Sequence, residues 1–140
     1  MDSVDMADRL AKDFPFMRAE ADANKAGRIN DLYATFGCEC GDGWYKLLHD
    51  LCTEITQAYI EQGLEPDVKI GQIKEKYGTL RFYYSSSINL DAIVDKYEEL
   101  SAITCESCGQ PGHLFNNGWC KVRCDSCYEE EQKPRAQLSL

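Results

Sequence analysis

The chain has 140 residues, 44% of them hydrophobic, and 24 acidic residues against 15 basic ones give a formal net charge of −9. That length holds one compact domain plus a small appendage, and the acidity weighs against indiscriminate binding to phosphate backbones. No apolar run approaches a membrane span, and residues 1–13 are acidic and interrupted rather than signal-like, so a cytoplasmic protein is expected.

In chain order, Met6, Leu10 and Phe14 recur at helical spacing, and Pro15 stops that first helix. Residues 18–36 are polar but helix-tolerant, with Gly27 interrupting, and one or two short helices are expected to turn Ile29, Leu32, Tyr33 and Phe36 inward. Gly37 and Gly41 bracket a loop holding Cys38 and Cys40. The clearest helix covers about 44–62, with the stripe Trp44, Leu47, Leu48, Leu51, Ile55 and Tyr59, Asp42 as its cap and Gly63 as its stop. Cys52 lies beside that stripe and reads as a small buried hydrophobe.

Alternation in 67–85 predicts an antiparallel hairpin turning at Lys76, Tyr77 and Gly78, with a bulge near Gln72 because Ile73 breaks the pattern. Ser85, Ser86 and Ser87 end it. Asn89 then caps a helix whose inner face is Leu90, Ile93, Val94, Tyr97 and Leu100. The fold class is α+β: a small helical body (1–104) packed on the hairpin, a zinc-ribbon-like segment (105–127) and a flexible tail (128–140). Leu48, Leu51, Ile55, Leu80, Phe82, Tyr84, Ile93, Val94 and Tyr97 should supply most of the core. Whether the first forty residues dock on this body is not fixed by local pattern.

The strongest chemical signal is the spacing C-x2-C-x15-C-x2-C, formed by Cys105, Cys108, Cys124 and Cys127. Two CxxC turns at this separation place four thiolates around one tetrahedral ion, and Gly109 and Gly112 suit the turn after the first pair. Four sulfurs leave no open coordination position, so one structural Zn2+ per chain is expected. A disulfide framework is the competing reading of eight cysteines, but paired CxxC turns fit a reduced metal site better. His113 and Cys120 lie between the pairs and are alternative ligands; Cys120 otherwise reads as a packed thiol beside Trp119. Cys38 and Cys40 read as free thiols in a turn, or with Cys52 and a histidine as a second metal site. His49 falls off the apolar stripe and reads as a solvated helix residue.

No nucleophilic elbow, Gly-rich phosphate loop or H-E-x-x-H helix is present, so nothing argues for an enzyme. A basic strip, Lys69, Lys74, Lys76 and Arg81 with Tyr77 and Tyr83, runs along the hairpin, and Lys121 and Arg123 extend it into the zinc loop. Such a strip either solvates one face of a hairpin or contacts nucleic acid.

Gly41-Asp42-Gly43-Trp44-Tyr45 with Leu47, Leu48, Leu51 and Cys52 resembles the "GDGWxxLLxxLC" opening of a family of small phage and prophage proteins. Gln72 to Tyr83 is similar to that family's "QVKEKFGTLRFY" hairpin, and Cys105 to Gly112 to its "CEVCGAPG" turn, with Gly118-Trp119 matching a later "GGW". The resemblance covers about residues 40–127. Family members often end the metal segment with one Cys and a downstream His, whereas Cys127 here stands in the histidine's place. That exchange keeps four ligands and makes Cys120 and His113 less needed.

The family is largely uncharacterised, so the resemblance implies phage origin rather than an activity. A small, acidic, non-enzymatic phage protein is expected to bind and modulate a host protein, such as a defence nuclease or the transcription machinery, in the bacterial cytoplasm. The contact surface would include Lys74, Lys76, Arg81, Tyr83, His113, Trp119, Lys121 and Arg123. The alternative is a nucleic-acid-binding accessory protein that uses the hairpin strip and the zinc loop.

Overall fold

Alternation along two strands builds the centre of the α+β fold. The computed structural model describes residues 1–19 and 32–133. Within them, β1 is Cys38–Glu39, β2 is Lys69–Lys76 and β3 is Thr79–Ser85, and β2 and β3 form the expected antiparallel hairpin. The pairs Ile70/Tyr84, Ile73/Phe82 and Glu75/Leu80 share the inner face, while Gln72/Tyr83, Lys74/Arg81 and Lys76/Thr79 share the outer one. The register shifts between Ile70 and Gln72, so Gly71 is the bulge residue and Ile73 returns to the core. Tyr77 (φ 54°) and Gly78 (φ 91°) form a two-residue turn with both central residues left-handed.

The Cys38 region corrects the loop reading. Strand β1 pairs parallel with β2, placing Cys38 opposite Ile73, and Cys38 is fully buried. Gly37 (φ +65°) makes this possible, because a Cβ there would lie 2.4 Å from the Ser3 carbonyl oxygen. At the other edge, the backbone N–H groups of Leu80 and Phe82 donate to Ser101 Oγ and Glu98 Oε2, both at 2.9 Å. Side chains of one helix thus blunt a strand edge that would otherwise recruit another strand.

Four helices cover the inner face. Helix α1 (Ser3–Asp13) is capped by the Asp2 carboxylate and buries Met6, Ala7 and Leu10, so the N-terminal segment docks on the body. Helix α2 (Leu32–Phe36) turns Tyr33 and Ala34 inward, not Leu32 and Phe36, which are exposed; Ile29 and Gly27 lie outside the described residues. Helix α3 (Tyr45–Glu61) follows a 3-10 turn at Asp42–Trp44 and ends at Gly63, where Gly63 N–H meets Ile60 O and Leu64 N–H meets Tyr59 O. Asp42 does not cap it; its carboxylate accepts from the Met1 ammonium at 3.2 Å. Helix α4 (Asp91–Ser101) begins with Asn89 Oδ1 accepting from Asp91 N–H at 2.9 Å and lies against β3 and α3.

The core contains most of the expected residues, although Tyr84 and Ile93 are only partly buried. Trp44 and Tyr59 join it from the predicted helix stripe and Ile73 through the bulge, while Met6, Leu10 and Met17 come from the N-terminal segment, whose docking no local pattern reveals. His49 is not simply solvated: its Nε2 lies 2.9 Å from Asp13 Oδ2, with its ring edge-on to Phe14.

Beyond α4, the segment expected as a loop is a second hairpin, β4 (His113–Asn117) and β5 (Trp119–Arg123), followed by α5 (Asp125–Glu131). The tail expected from Tyr128 is therefore helical to Glu131, with the Tyr128 ring stacked on Phe115 at 3.7 Å. Residues 134–140, including Pro134, lie outside the described residues. Among the described residues, no helix is long and apolar enough to cross a membrane.

Candidate metal centre

The four predicted ligands converge. The sulfurs of Cys105, Cys108, Cys124 and Cys127 all lie within 4.8 Å of one another, and Cys108 Sγ is 3.6 Å from Cys124 Sγ. A tetrahedron with metal–sulfur bonds of about 2.3 Å has edges of about 3.8 Å, so the cluster has the size of a thiolate cage for one ion. All eight cysteines are free thiols, which removes the disulfide reading. The donor set fits a thiophilic, tetrahedral metal and leaves no position for a reacting water.

Two backbone knuckles position the sulfurs. In the first, Gly109 N–H donates to Cys105 O at 2.8 Å, and Gly109 adopts φ +83°. Pro111 bridges to Thr104, and Cys105 N–H donates to Gln110 O at 2.8 Å. In the second, Cys124 occupies the position before α5, and its Sγ accepts from Cys127 N–H at 3.4 Å. One sulfur thus serves as helix cap and candidate ligand.

Electrostatics divide the four sulfurs. Burial works against the Cys105 thiolate, but N–H groups of Cys124, Cys108 and Ser107 outweigh it and bring its pKa down to about 7. Hydrogen bonding to the neighbouring Cys124 and Cys108 sulfurs pushes Cys127 up to about 12. Thiolates packed this closely cannot all ionise alone; a bound cation makes the fully ionised set favourable.

The GDGW sequence is the cradle for the first knuckle. Gly43 N–H donates to Glu106 O at 2.9 Å, Gly41 N–H to Glu106 Oε2 at 2.7 Å, and Trp44 Nε1 to Thr104 O at 2.8 Å. A Cβ on Gly43 would lie 2.5 Å from the Cys105 and Glu106 carbonyl oxygens, and one on Gly41 2.4 Å from Glu106 O. Both positions therefore need glycine for close backbone approach rather than for turn geometry. This role was missed from sequence. Its only local sign is a pair of glycines flanking Asp42 at the mouth of an apolar helix.

Ion pairs close the other side. Arg123 Nε meets Glu131 Oε1 at 2.7 Å and Arg123 Nη1 meets Glu106 Oε1 at 3.4 Å, while Lys121 Nζ meets Glu131 Oε2 at 3.3 Å. Lys121 and Arg123, expected on the contact surface, are thus committed inside the metal segment, and the Arg123 side chain is only 17% exposed. His113 is not in the sulfur cluster; its Nε2 lies 2.8 Å from Asp125 Oδ1. Cys120 is also apart, with its thiol 3.3 Å from Asn116 Oδ1. The metal-ligating groups found among the described residues are these four cysteines alone, so Cys38, Cys40 and Cys52 form no second site there. Burial raises the pKa of all three, Cys38 to about 12.

The remaining expected residues lie on two other surfaces. Trp119, 74% exposed, and Tyr77, 71% exposed, line one groove of about 490 Å3 with Glu75, Lys76, Gly118 and Cys120, where the tips of the two hairpins meet. Lys74, Arg81 and Tyr83 share the outer sheet face. No protein-family model matches the chain, and no curated protein or solved structure matches it either.

Proposed function

We propose that this protein is a non-enzymatic interaction module of phage or prophage type, in which one structural Zn2+ holds a hairpin in place to bind a host protein. Zinc is the natural choice for four thiolates in a closed tetrahedron. The observation that carries the reading is the groove between the two hairpin tips. Two aromatic side chains stand almost fully in solvent there, and Leu114, also exposed, lies beside the Gly78 turn. Tyr77 moreover sits at φ 54°, a conformation that costs a bulky residue free energy. Exposed aromatics whose burial the core does not use are the usual anchors of protein interfaces.

The resemblance to phage proteins supports a host protein in the bacterial cytoplasm as partner, with a defence nuclease or the transcription machinery as the target class. The test has two arms. Elemental analysis of freshly reduced protein should find about one zinc per chain; none would overturn the structural-zinc part. Affinity capture from a bacterial host extract, after nuclease treatment, should enrich one protein that the Tyr77→Ala/Trp119→Ala variant loses while keeping its metal. Equal capture by the variant would sink the groove as the contact surface.

A further inference from the structure

The outer face of the β2–β3 hairpin carries cations that no carboxylate among the described residues pairs, although Lys76 Nζ lies over the Tyr77 ring, 5.6 Å from its centroid. Lys74 and Arg81 are directly opposite across the ladder, and Lys76 lies two residues along the same face. Like charges in facing positions oppose sheet formation, so this placement is not a device for stability. None of the ion pairs between described residues involves Lys74, Lys76 or Arg81.

This is unusual on a chain of net charge −9, and it does not arise from a lack of nearby carboxylates. Three lie around the hairpin and each is turned to another donor. Glu39, beside Lys74 in the ladder, accepts from Gln72 Nε2 at 3.2 Å; Glu75 accepts from Gly78 N–H at 2.6 Å; Glu98 accepts from Phe82 N–H at 2.9 Å. Arg81 adds a second observation: its Nε is buried and finds no acceptor among the described residues. A guanidinium with an unmet buried donor calls for an oxyanion, water or other acceptor to complete it. The zinc hairpin shows the opposite arrangement, with Lys121 and Arg123 both neutralised by Glu131 and Glu106.

Beside this cation pair stands Tyr83, the next outer-face residue along β3, opposite Gln72 and 46% exposed. We propose that Lys74, Arg81 and Tyr83 form a binding site for single-stranded nucleic acid, with a phosphate held by the cation pair, a base on the Tyr83 ring, and Lys76 about 7 Å further along the strand at the next phosphate. A single strand fits because stacking on a tyrosine requires an unpaired base face, which a duplex hides. The surrounding negative charge keeps affinity low and restricts binding to this strip. The site shares only Lys76 with the aromatic groove; Lys74, Arg81 and Tyr83 lie outside that groove, so variants at these three test it independently of the host-protein reading.

The test is fluorescence anisotropy of the zinc-loaded, full-length protein with labelled 12-nucleotide oligo-dT and oligo-U, from low to physiological salt. Two or three phosphate contacts predict a slope of log K on log salt of about −1.4 to −2 for a single strand. Lys74→Gln/Arg81→Gln should weaken binding about tenfold or more and flatten the slope, and Tyr83→Ala should weaken it severalfold without changing the slope. Unchanged melting and metal content show that both variants fold. Absence of binding at 20 mM salt, or binding indifferent to the Lys74/Arg81 variant, overturns the proposal. So does polyglutamate or inorganic polyphosphate competing as well as the oligonucleotide, with Tyr83→Ala without effect, because the strip would then be a polyanion site with no base recognition.

Discussion

The two hairpins of this protein have the same secondary structure and opposite means of support. In β2–β3, one face is core: Ile70, Ile73, Leu80 and Phe82 are buried, with α2 against β2 and α4 against β3. In β4–β5, Val122 is the one buried residue, and Leu114 and Trp119 lie in solvent. An isolated two-stranded hairpin is marginal in water, so the second depends on what clamps its ends. The clamps are the four-sulfur cluster, the Phe115–Tyr128 stack and the Arg123 ion pairs. Hydrophobic burial holds the first hairpin to the body, whereas the second is clamped by the sulfur cluster, the ring stack and the ion pairs, with Leu114 and Trp119 left exposed.

The largest effect should come from removing the metal. Structural zinc sites carry apparent binding free energies of about 10–16 kcal/mol, and most of that is expected to be folding energy of the segment from Cys105 to Glu131. Chelation, or Cys105→Ser, should abolish hydrogen-exchange protection in β4, β5 and α5 while leaving β2, β3 and α3 protected. Loss of protection in both hairpins together would show that the body also depends on the cluster.

The reciprocal change tests the other support. Leu80→Ala removes a fully buried side chain from β3 and should cost about 2–5 kcal/mol, measured by urea unfolding of the metal-loaded protein. A cost below 1 kcal/mol would mean that the inner face is not the main support of β2–β3.

The joint between the two regions is Gly43. Gly43→Ala places a methyl against the Cys105 and Glu106 carbonyls and should cost about 1–3 kcal/mol by overpacking. The loss should appear as weaker coupling of metal binding to body stability, read from the shift in melting temperature on metal addition. An unchanged shift would separate the cradle from the knuckle.

The smallest effect belongs to a surface pair within the body. Hydrogen bonds from Lys96 and Tyr97 hold the Glu54 carboxyl below its ordinary value. A lowered carboxylate stabilises the fold above its unfolded pKa, and that contribution is lost as pH falls through the lower folded value. The pair is solvent-exposed, so Glu54→Gln should cost no more than about 0.5 kcal/mol at neutral pH, and the difference from wild type should vanish in acid. A difference that persists below the folded pKa would assign Glu54 a packing role instead.

What was legible in the sequence was whatever depends on neighbours along the chain. The 3.6-residue stripe from Leu47 to Tyr59, the period-two alternation around Ile70 and Phe82, the Gly63 stop and the CxxC spacing each encode local geometry, and each is present in the fold. What only the tertiary structure decided depends on partners tens of residues away. Cys38 becomes a strand residue because Ile73 lies beside it, and Gly43 is a cradle because the Cys105 knuckle descends on it. The basic strip divides for the same reason. Arg123 and Arg81 are indistinguishable as letters in a pattern, but among the described residues only Arg123 of the two meets carboxylates, supplied by Glu106 and Glu131. Charge pairing and close backbone approach are set by distances in space, and a linear pattern carries no distance beyond the next turn of helix or the next residue of strand.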